Sequence, residues 1–226
     1  MNVGVLFSGG KDSCLALQRA RQYHDVVCLI SLISLNKESY MFHVPNIEIT
    51  ELQANAIGLP LIQKRTKGEK EEELLDLKEA IEHAKVKYYI KGVVTGAIRS
   101  VYQASRIQRV CNELGLWCFN PLWLNDEIEV LQEVVEKGFK VLISGVFAYP
   151  LERKHLGLIM DKDIITELSL LHKKYNLNPA GEGGELETTV LDAPFFKKTI
   201  EVIDYVIHYR DHSGVFEIKE ARFVDK

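Results

Sequence analysis

The chain has 226 residues, of which 46% are hydrophobic and 27% are charged, as in an ordinary globular protein. Its net charge of -4 argues against a general nucleic-acid binder, because such proteins usually carry a basic excess. The longest apolar run, Val26 to Leu35, is about half of the roughly 20 residues that a membrane-spanning helix needs. The sequence begins in a strand-like segment without a signal peptide, so we expect a cytoplasmic protein with no membrane partner.

The first half of the chain alternates strand-like and helix-like segments. Apolar runs that end at glycine or proline indicate buried strands, and amphipathic stretches between them indicate helices. The predicted strands are 3–7, 26–35, 61–64, 88–95 and 117–120, and the predicted helices are 12–23, 50–57, 69–85 and 100–114. This order predicts a doubly wound, mostly parallel sheet with helices on both faces, which is a Rossmann-like α/β fold.

The regular alternation of predicted strands and helices changes near Pro121. A helix at 127–137, a strand at 140–147 and a helix at 161–175 are followed by two or three strands in the C-terminal tail. Ser213-Gly214 suggests the turn of a hairpin. We therefore divide the chain into a first domain, residues 1–122, and a smaller α+β domain, residues 123–226.

A glycine-rich turn joins the first strand to the first helix. Its residues are Ser8-Gly9-Gly10-Lys11-Asp12-Ser13, hereafter the phosphate loop. Backbone N–H groups and the helix dipole make such a turn an anion site. A Walker A motif is excluded because Val5 stands where its first glycine is needed and Asp12 replaces its Ser or Thr. The dinucleotide-binding fingerprint is excluded because no glycine follows Gly10 at the required spacing.

Two more motifs lie further along the chain. Gly96, Tyr102, Gln103 and Arg106 follow a predicted strand, so they should face the same cleft as the phosphate loop, with Tyr102 and Arg106 on one helix face. The segment 181–188, hereafter the acidic loop, contains three glycines and three carboxylates. Carboxylates repel phosphate, so this loop suits a cation or ammonia better. Its polar members are Glu182, Glu185, Glu187 and Thr188.

The phosphate loop resembles that of the N-type ATP pyrophosphatases. Together with Gly96-Ala97-Ile98, Pro121-Leu122-Trp123 and the acidic loop, it resembles the short form of the diphthine–ammonia ligase family. Leu186 stands where many members of that family carry an aromatic residue. The resemblance covers nearly the whole chain in the same motif order.

The resemblance implies an ATP site with Mg²⁺. Ser8, Gly9, Gly10 and Ser13 would cradle the β- and γ-phosphates, Lys11 would neutralise their charge, and Asp12 would hold the metal ion. The second strand would pass beside adenine. Further nucleotide contacts are therefore expected from Ser34, His43 and Gly96.

The same resemblance implies a reaction. ATP would be cleaved to AMP and pyrophosphate while ammonia amidates diphthine, a modified histidine of elongation factor 2, to give diphthamide. Catalytic roles fall to Lys11, Asp12, Glu182, Glu185 and Glu187. We hypothesise that the three glutamates attract ammonium or take its proton, and that Tyr102 adds a cation–π contact to the trimethylammonium group of diphthine. The substrate-binding set is completed by Gln103, Arg106 and Thr188.

Two other interpretations remain open. The ATP chemistry could serve another acceptor, as in tRNA modification, although the four cysteines show no arrangement for sulfur transfer. Alternatively, the chain could be a non-catalytic sensor of ATP or AMP. The sequence is compatible with a homo-oligomer.

Overall fold

The computed structural model describes residues 1–36, 45–69 and 72–226. The first half of the chain forms a sheet of five parallel strands in the order β3-β2-β1-β4-β5. Its strands are β1 (Asn2–Leu6), β2 (Asp25–Ser34), β3 (Leu61–Thr66), β4 (Gly92–Val94) and β5 (Trp117–Phe119). The chain moves outward from β1 to β3 and then returns to the other side at β4. The gap between the loops after β1 and β4 is therefore a topological switch point, where ligands bind in open α/β sheets.

Four helices cover the two faces of this sheet. They are α1 (Lys11–Ala20), α2 (Ile49–Ile57), α3 (Glu72–Tyr88) and α4 (Val101–Glu113). The apolar sides of α3 and α4 pack in one hydrophobic cluster, through residues such as Leu77 and Val110. Those of α1 and α2 belong to a second cluster, through Leu15 and Ile57. The predicted doubly wound parallel sheet is confirmed.

The second half forms an antiparallel sheet of four strands in the order β7-β6-β9-β8, with two helices. Its elements are α5 (Glu127–Glu136), β6 (Lys140–Val146), a 3₁₀ turn (Arg153–His155), α6 (Lys162–Tyr175), β7 (Leu186–Asp192), β8 (Thr199–Arg210) and β9 (Ser213–Val224). Val141 and Val190 of this sheet lie in the same hydrophobic cluster as Leu15 of α1. The two halves therefore share one core.

The largest difference from the predicted elements lies between α3 and β4. A strand was predicted over 88–95, but α3 continues through Tyr88 and β4 spans only Gly92–Val94. Tyr89 ends the helical path with a positive φ of 54°. Val86 and Tyr89 at this boundary are 70% and 74% exposed, so large apolar residues here do not mark a buried strand, and periodicity does not locate the boundary.

The hairpin of β8 and β9 also turns two residues earlier than predicted. Its central residues are Asp211 and His212, with φ values of 49° and 60°, rather than Ser213-Gly214. Two positive φ angles at the turn match the right-handed twist of the flanking strands, and glycine usually supplies them. Here Asp and His adopt this conformation, so the sequence signal points to the wrong pair.

None of the helices in the described parts of the chain combines the length and apolarity needed to cross a membrane.

Candidate active site

A cavity of about 600 Å³ opens at the carboxyl ends of β1, β2 and β4, where the two halves of the chain meet. Its volume is typical of a site for a small molecule. The first half contributes the glycines Gly10 and Gly96 and the polar side chains of Ser8, Lys11, Asp12, Ser13, Thr95 and Gln103. The second half contributes Phe147, Glu182, Glu187, Thr188 and Ser213, with the glycines of the acidic loop. The predicted phosphate loop and acidic loop therefore line the same cavity.

The phosphate loop is closed by its own hydroxyl groups. Ser8 Oγ accepts a hydrogen bond from the Gly10 N–H at 3.4 Å and donates to Ser13 Oγ at 3.3 Å. Ser13 Oγ in turn donates to the Gly10 carbonyl at 3.0 Å. Gly9 has a φ of 78°, which a residue with a side chain rarely adopts. These contacts hold the loop in its turn at the N-terminus of α1.

The strand β7 of the second half pairs directly with this loop. The Lys11 N–H donates to Thr188 Oγ1 at 3.2 Å, and the Val190 N–H donates to the Gly9 carbonyl at 2.9 Å. The geometry of the phosphate loop therefore depends on both halves of the chain.

Gln53 is a site residue that sequence reasoning missed. It is fully buried on α2, and its Nε2 donates to the carbonyls of Gly9 and Val190, at 2.8 Å each. A Cβ atom on Gly9 would lie 2.2 Å from Gln53 Oε1, so Gln53 also fills the space beside this glycine. A buried glutamine within an apolar helix face is the available sequence signal, because a buried amide needs partners.

Lys11 and Asp12 form an ion pair in the cavity wall, in which Lys11 is buried and the Asp12 side chain is 30% exposed. Only 2% of the Lys11 side chain is exposed, and its Nζ lies 2.9 Å from Asp12 Oδ2 and also donates to the Ala180 carbonyl. Burial raises the pKa of Asp12 above its ordinary value, although Lys11 opposes this effect. Asp12 Oδ1 is buried and has no hydrogen-bond partner among the described residues.

An unpaired buried carboxylate oxygen fits a Mg²⁺ ion. Mg²⁺ is commonly bound by one or two carboxylates together with the phosphates of the substrate. In the described parts of the chain, no group of three or more His, Cys, Asp or Glu residues is placed to hold a metal ion. Asp12 therefore fits a metal ion whose other ligands come from a nucleotide, rather than a metal ion held by the protein alone.

The three glutamates of the acidic loop have different surroundings. Glu182 Oε1 accepts hydrogen bonds from backbone N–H groups near the start of α4, and Glu185 accepts one from the Gly183 N–H at 3.0 Å. Glu187 lines the cavity, and burial raises its pKa to about 7, with a smaller contribution from Asp12 and an opposing one from Lys11. The cavity therefore perturbs the carboxyl of Glu187, as is common for groups in functional sites.

Gly96 brings the loop after β4 against the phosphate loop. A Cβ atom on Gly96 would lie 2.8 Å from the carbonyl carbon of Asp12 and 2.9 Å from the nitrogen of Ser13. The glycine was predicted to allow close approach to a ligand, and the close approach seen here is to the backbone of α1. Gln103 lines the cavity, and its N–H donates to the Ser100 hydroxyl that caps α4.

Ser34, Tyr102 and Arg106, three other predicted site residues, do not line the cavity. Ser34 ends β2, and its hydroxyl donates to the Asn36 carbonyl at 2.9 Å. The guanidinium carbon of Arg106 lies 3.6 Å from the centre of the Tyr102 ring, so Arg106 already occupies one face of that ring. His43 lies outside the described residues. The nucleotide or substrate contacts of these four residues stay predictions.

The motifs and their geometry agree with comparisons across the whole chain. Residues 1–118 match the family described as "Diphthamide synthase N-terminal domain", and residues 126–224 match "Diphthamide synthase C-terminal domain". The chain belongs to the diphthine–ammonia ligase family. The resemblance predicted from the motifs is confirmed.

Curated relatives named diphthine–ammonia ligase include proteins that this chain matches over most of their length. The Danio rerio protein is 35% identical over 93% of this chain and 91% of its own length, and the Mus musculus protein is 36% identical over 93% and 87%. The Schizosaccharomyces pombe relative is longer: its 35% identity covers 90% of this chain but 36% of that protein.

Among solved structures, a predicted subunit of tRNA methyltransferase from Methanocaldococcus jannaschii is similar to this chain. The TM-score is 0.45, with 18% identity over 86% of this chain and 98% of that one. We draw no conclusion about the acceptor substrate from a similarity of this size.

Proposed function

We propose that this chain is an ATP-dependent ligase that amidates diphthine on elongation factor 2 with ammonia, forming diphthamide, AMP and pyrophosphate. The observation that carries the proposal is the meeting of the phosphate loop and Glu187 in one cavity of a diphthine–ammonia ligase family member. Relatives of similar length carry the name diphthine–ammonia ligase. The sequence prediction of a cytoplasmic protein is part of this proposal.

The phosphate loop is proposed to hold the β- and γ-phosphates of ATP. Its backbone N–H groups lie at the N-terminus of α1, where the helix dipole favours anions. Lys11 supplies a buried positive charge beside them. A Mg²⁺ ion bound to Asp12 and the phosphates would offset the negative charge that develops on pyrophosphate as it leaves.

The first step activates the carboxylate of diphthine. One carboxylate oxygen attacks the α-phosphorus of ATP, the bond from that phosphorus to the bridging oxygen breaks, and pyrophosphate leaves. The product is an acyl-adenylate, which has the good leaving group that a carboxylate lacks. Positioning of the two reactants and neutralisation of charge by Lys11 are the contributions expected from the protein.

The second step transfers nitrogen. Ammonium loses a proton, ammonia attacks the carbonyl carbon, and the bond from that carbon to the AMP oxygen breaks. The nitrogen then releases a second proton to solvent, which leaves the neutral amide. Glu187 is our candidate for attracting ammonium and accepting its proton, because it lines the cavity and its pKa is raised to about 7. Gln103 lines the same cavity and remains a candidate substrate contact.

The proposal is tested by reconstitution with purified components. AMP should form from ATP only when elongation factor 2 bearing diphthine and ammonium are both present, and diphthamide should appear in equal amount. Elongation factor 2 with an unmodified histidine is the matched control substrate. AMP formed instead with a tRNA acceptor would replace this proposal, and ATP binding without any AMP would favour a sensor.

A further inference from the structure

The carboxylate of Glu182 is bound to the backbone of the other half of the chain. Its Oε1 accepts hydrogen bonds from three consecutive N–H groups: Ile98 at 3.1 Å, Arg99 at 3.2 Å and Ser100 at 3.0 Å. Ser100 is the N-cap of α4, so the helix dipole favours a negative charge at this position. Hydrogen bonds to an ionised acceptor are roughly twice as strong as neutral ones.

Two hydrogen bonds form within the acidic loop, from the Gly184 N–H to the Gly181 carbonyl at 2.9 Å and from the Gly183 N–H to Glu185 at 3.0 Å. Gly181 and Gly184 have positive φ values of 75° and 86°, and Gly183 lies between them. Glycine loses more conformational freedom on folding than any other residue, so a loop with three glycines needs strong contacts to stay in one conformation. The contacts of Glu182 supply them.

The start of the same loop contacts the phosphate loop. Asn178 Oδ1 accepts from the Ala180 N–H at 3.0 Å, and the Ala180 carbonyl accepts from Lys11 Nζ. Ala180, directly before the acidic loop, is therefore held by Lys11, and Glu182, the second residue of the loop, is held by the backbone at the start of α4. The segments 181–184 and 186–188 of the loop line the cavity.

We propose that Glu182 is a positioning residue and not the proton acceptor. Its carboxylate holds the acidic loop against residues 98–100, an attachment hereafter called the latch, and so closes the cavity. With three N–H donors, Oε1 is committed to joining the acidic loop to residues 98–100. The consequence for amide formation rests on the proposed function. The latch itself does not.

Hydrogen exchange tests the latch without reference to activity. Backbone amides of residues 98–100 should exchange about 10- to 100-fold faster in Glu182→Ala than in the unmodified protein, because three hydrogen bonds lose their acceptor. Glu182→Gln keeps an acceptor oxygen and should stay within about 5-fold. Glu220→Ala, on the exposed part of β9, is the matched control and should leave exchange unchanged. Unchanged exchange in Glu182→Ala would overturn the proposal.

Activity then separates positioning from chemistry. With ATP, ammonium and elongation factor 2 bearing diphthine, kcat/KM for AMP formation should fall about 10- to 100-fold in Glu182→Ala and by less than about 5-fold in Glu182→Gln. If Glu182→Gln is as inactive as Glu182→Ala while residues 98–100 stay protected, Glu182 acts in the chemistry and the proposal is wrong. If the unmodified protein itself forms no AMP, the proposed function fails, and exchange alone decides the latch.

Discussion

The raised pKa of Glu187 predicts that its charge destabilises the ligand-free protein. Burial raises this pKa from its ordinary value of 4.5 to about 7, so the folded state favours the protonated form. The stability that this protonation contributes is fully present below pH 4.5 and is lost as the pH rises through 7. Glu187→Gln is neutral at every pH and avoids that loss.

The size of the effect follows from the two pKa values. At 1.36 kcal/mol for each pKa unit, a rise from 4.5 to about 7 corresponds to about 3 kcal/mol at full effect. The Glu187 side chain is partly open to the cavity, so solvent screening should reduce the difference to about 1–3 kcal/mol. For a chain of this length, each kcal/mol shifts the melting temperature by roughly 2–4 °C.

Urea denaturation at pH 5 and pH 8 measures this prediction. Glu187→Gln should gain about 1–3 kcal/mol over the unmodified protein between pH 5 and pH 8. Groups that titrate equally in both proteins cancel in this comparison. Glu220→Gln, at an exposed position of β9, should show no such gain. The prediction is wrong if the free energies of unfolding of the two proteins differ equally at pH 5 and pH 8, or if the unmodified protein gains stability over Glu187→Gln at pH 8.

Three further substitutions test the phosphate loop and the contact between the halves. Asp12→Ala should abolish pyrophosphate release because the unpaired Oδ1 is removed, and normal release would contradict its role in holding Mg²⁺. Gly9→Ala should destabilise the protein by about 1–3 kcal/mol and raise KM for ATP, because φ is 78° and the new Cβ meets Gln53 Oε1. Unaltered ATP kinetics would show that the loop tolerates a side chain there. Arg19→Ala should lower the free energy of unfolding by about 1–3 kcal/mol, because Arg19 donates to the Pro121 carbonyl at 2.8 Å and pairs with Glu133. An unchanged urea midpoint would show that this contact does not stabilise the protein.

The sequence predicts the fold well where a signal is local. Buried parallel strands such as β1 and β2 are nearly continuous apolar runs, so their positions follow from the sequence, and the helices between them predict a parallel sheet. The phosphate loop is also local, since six consecutive residues carry it. The end of α3 at Tyr88 is not, because packing rather than periodicity decides where that helix stops.

The contacts that shape the site are not local, and this is why reasoning from sequence missed them. Gln53 reaches Gly9 and Val190, which are distant along the chain. Glu182 was predicted to contact a substrate cation, which stays a prediction; it lines the cavity, and its Oε1 also accepts hydrogen bonds from the start of α4. A glutamate near glycines looks the same in both arrangements, so only the tertiary structure separates them.

The phosphate loop is consequently a property of the whole chain rather than of its first half. The Gly9 carbonyl and the Lys11 N–H, two polar groups of the loop, are paired by Val190 and Thr188 of β7. The Gly9 carbonyl also accepts from Gln53 of the first half, whereas the Lys11 N–H is paired by Thr188. A polar group left buried without a partner costs about 1–3 kcal/mol, so β7 stabilises the loop through the Lys11 N–H. Glu187 lies one residue before Thr188 on the same strand. The strand that contacts the phosphate loop thus also carries the proposed proton acceptor, so one strand would position the groups proposed for both steps of the reaction.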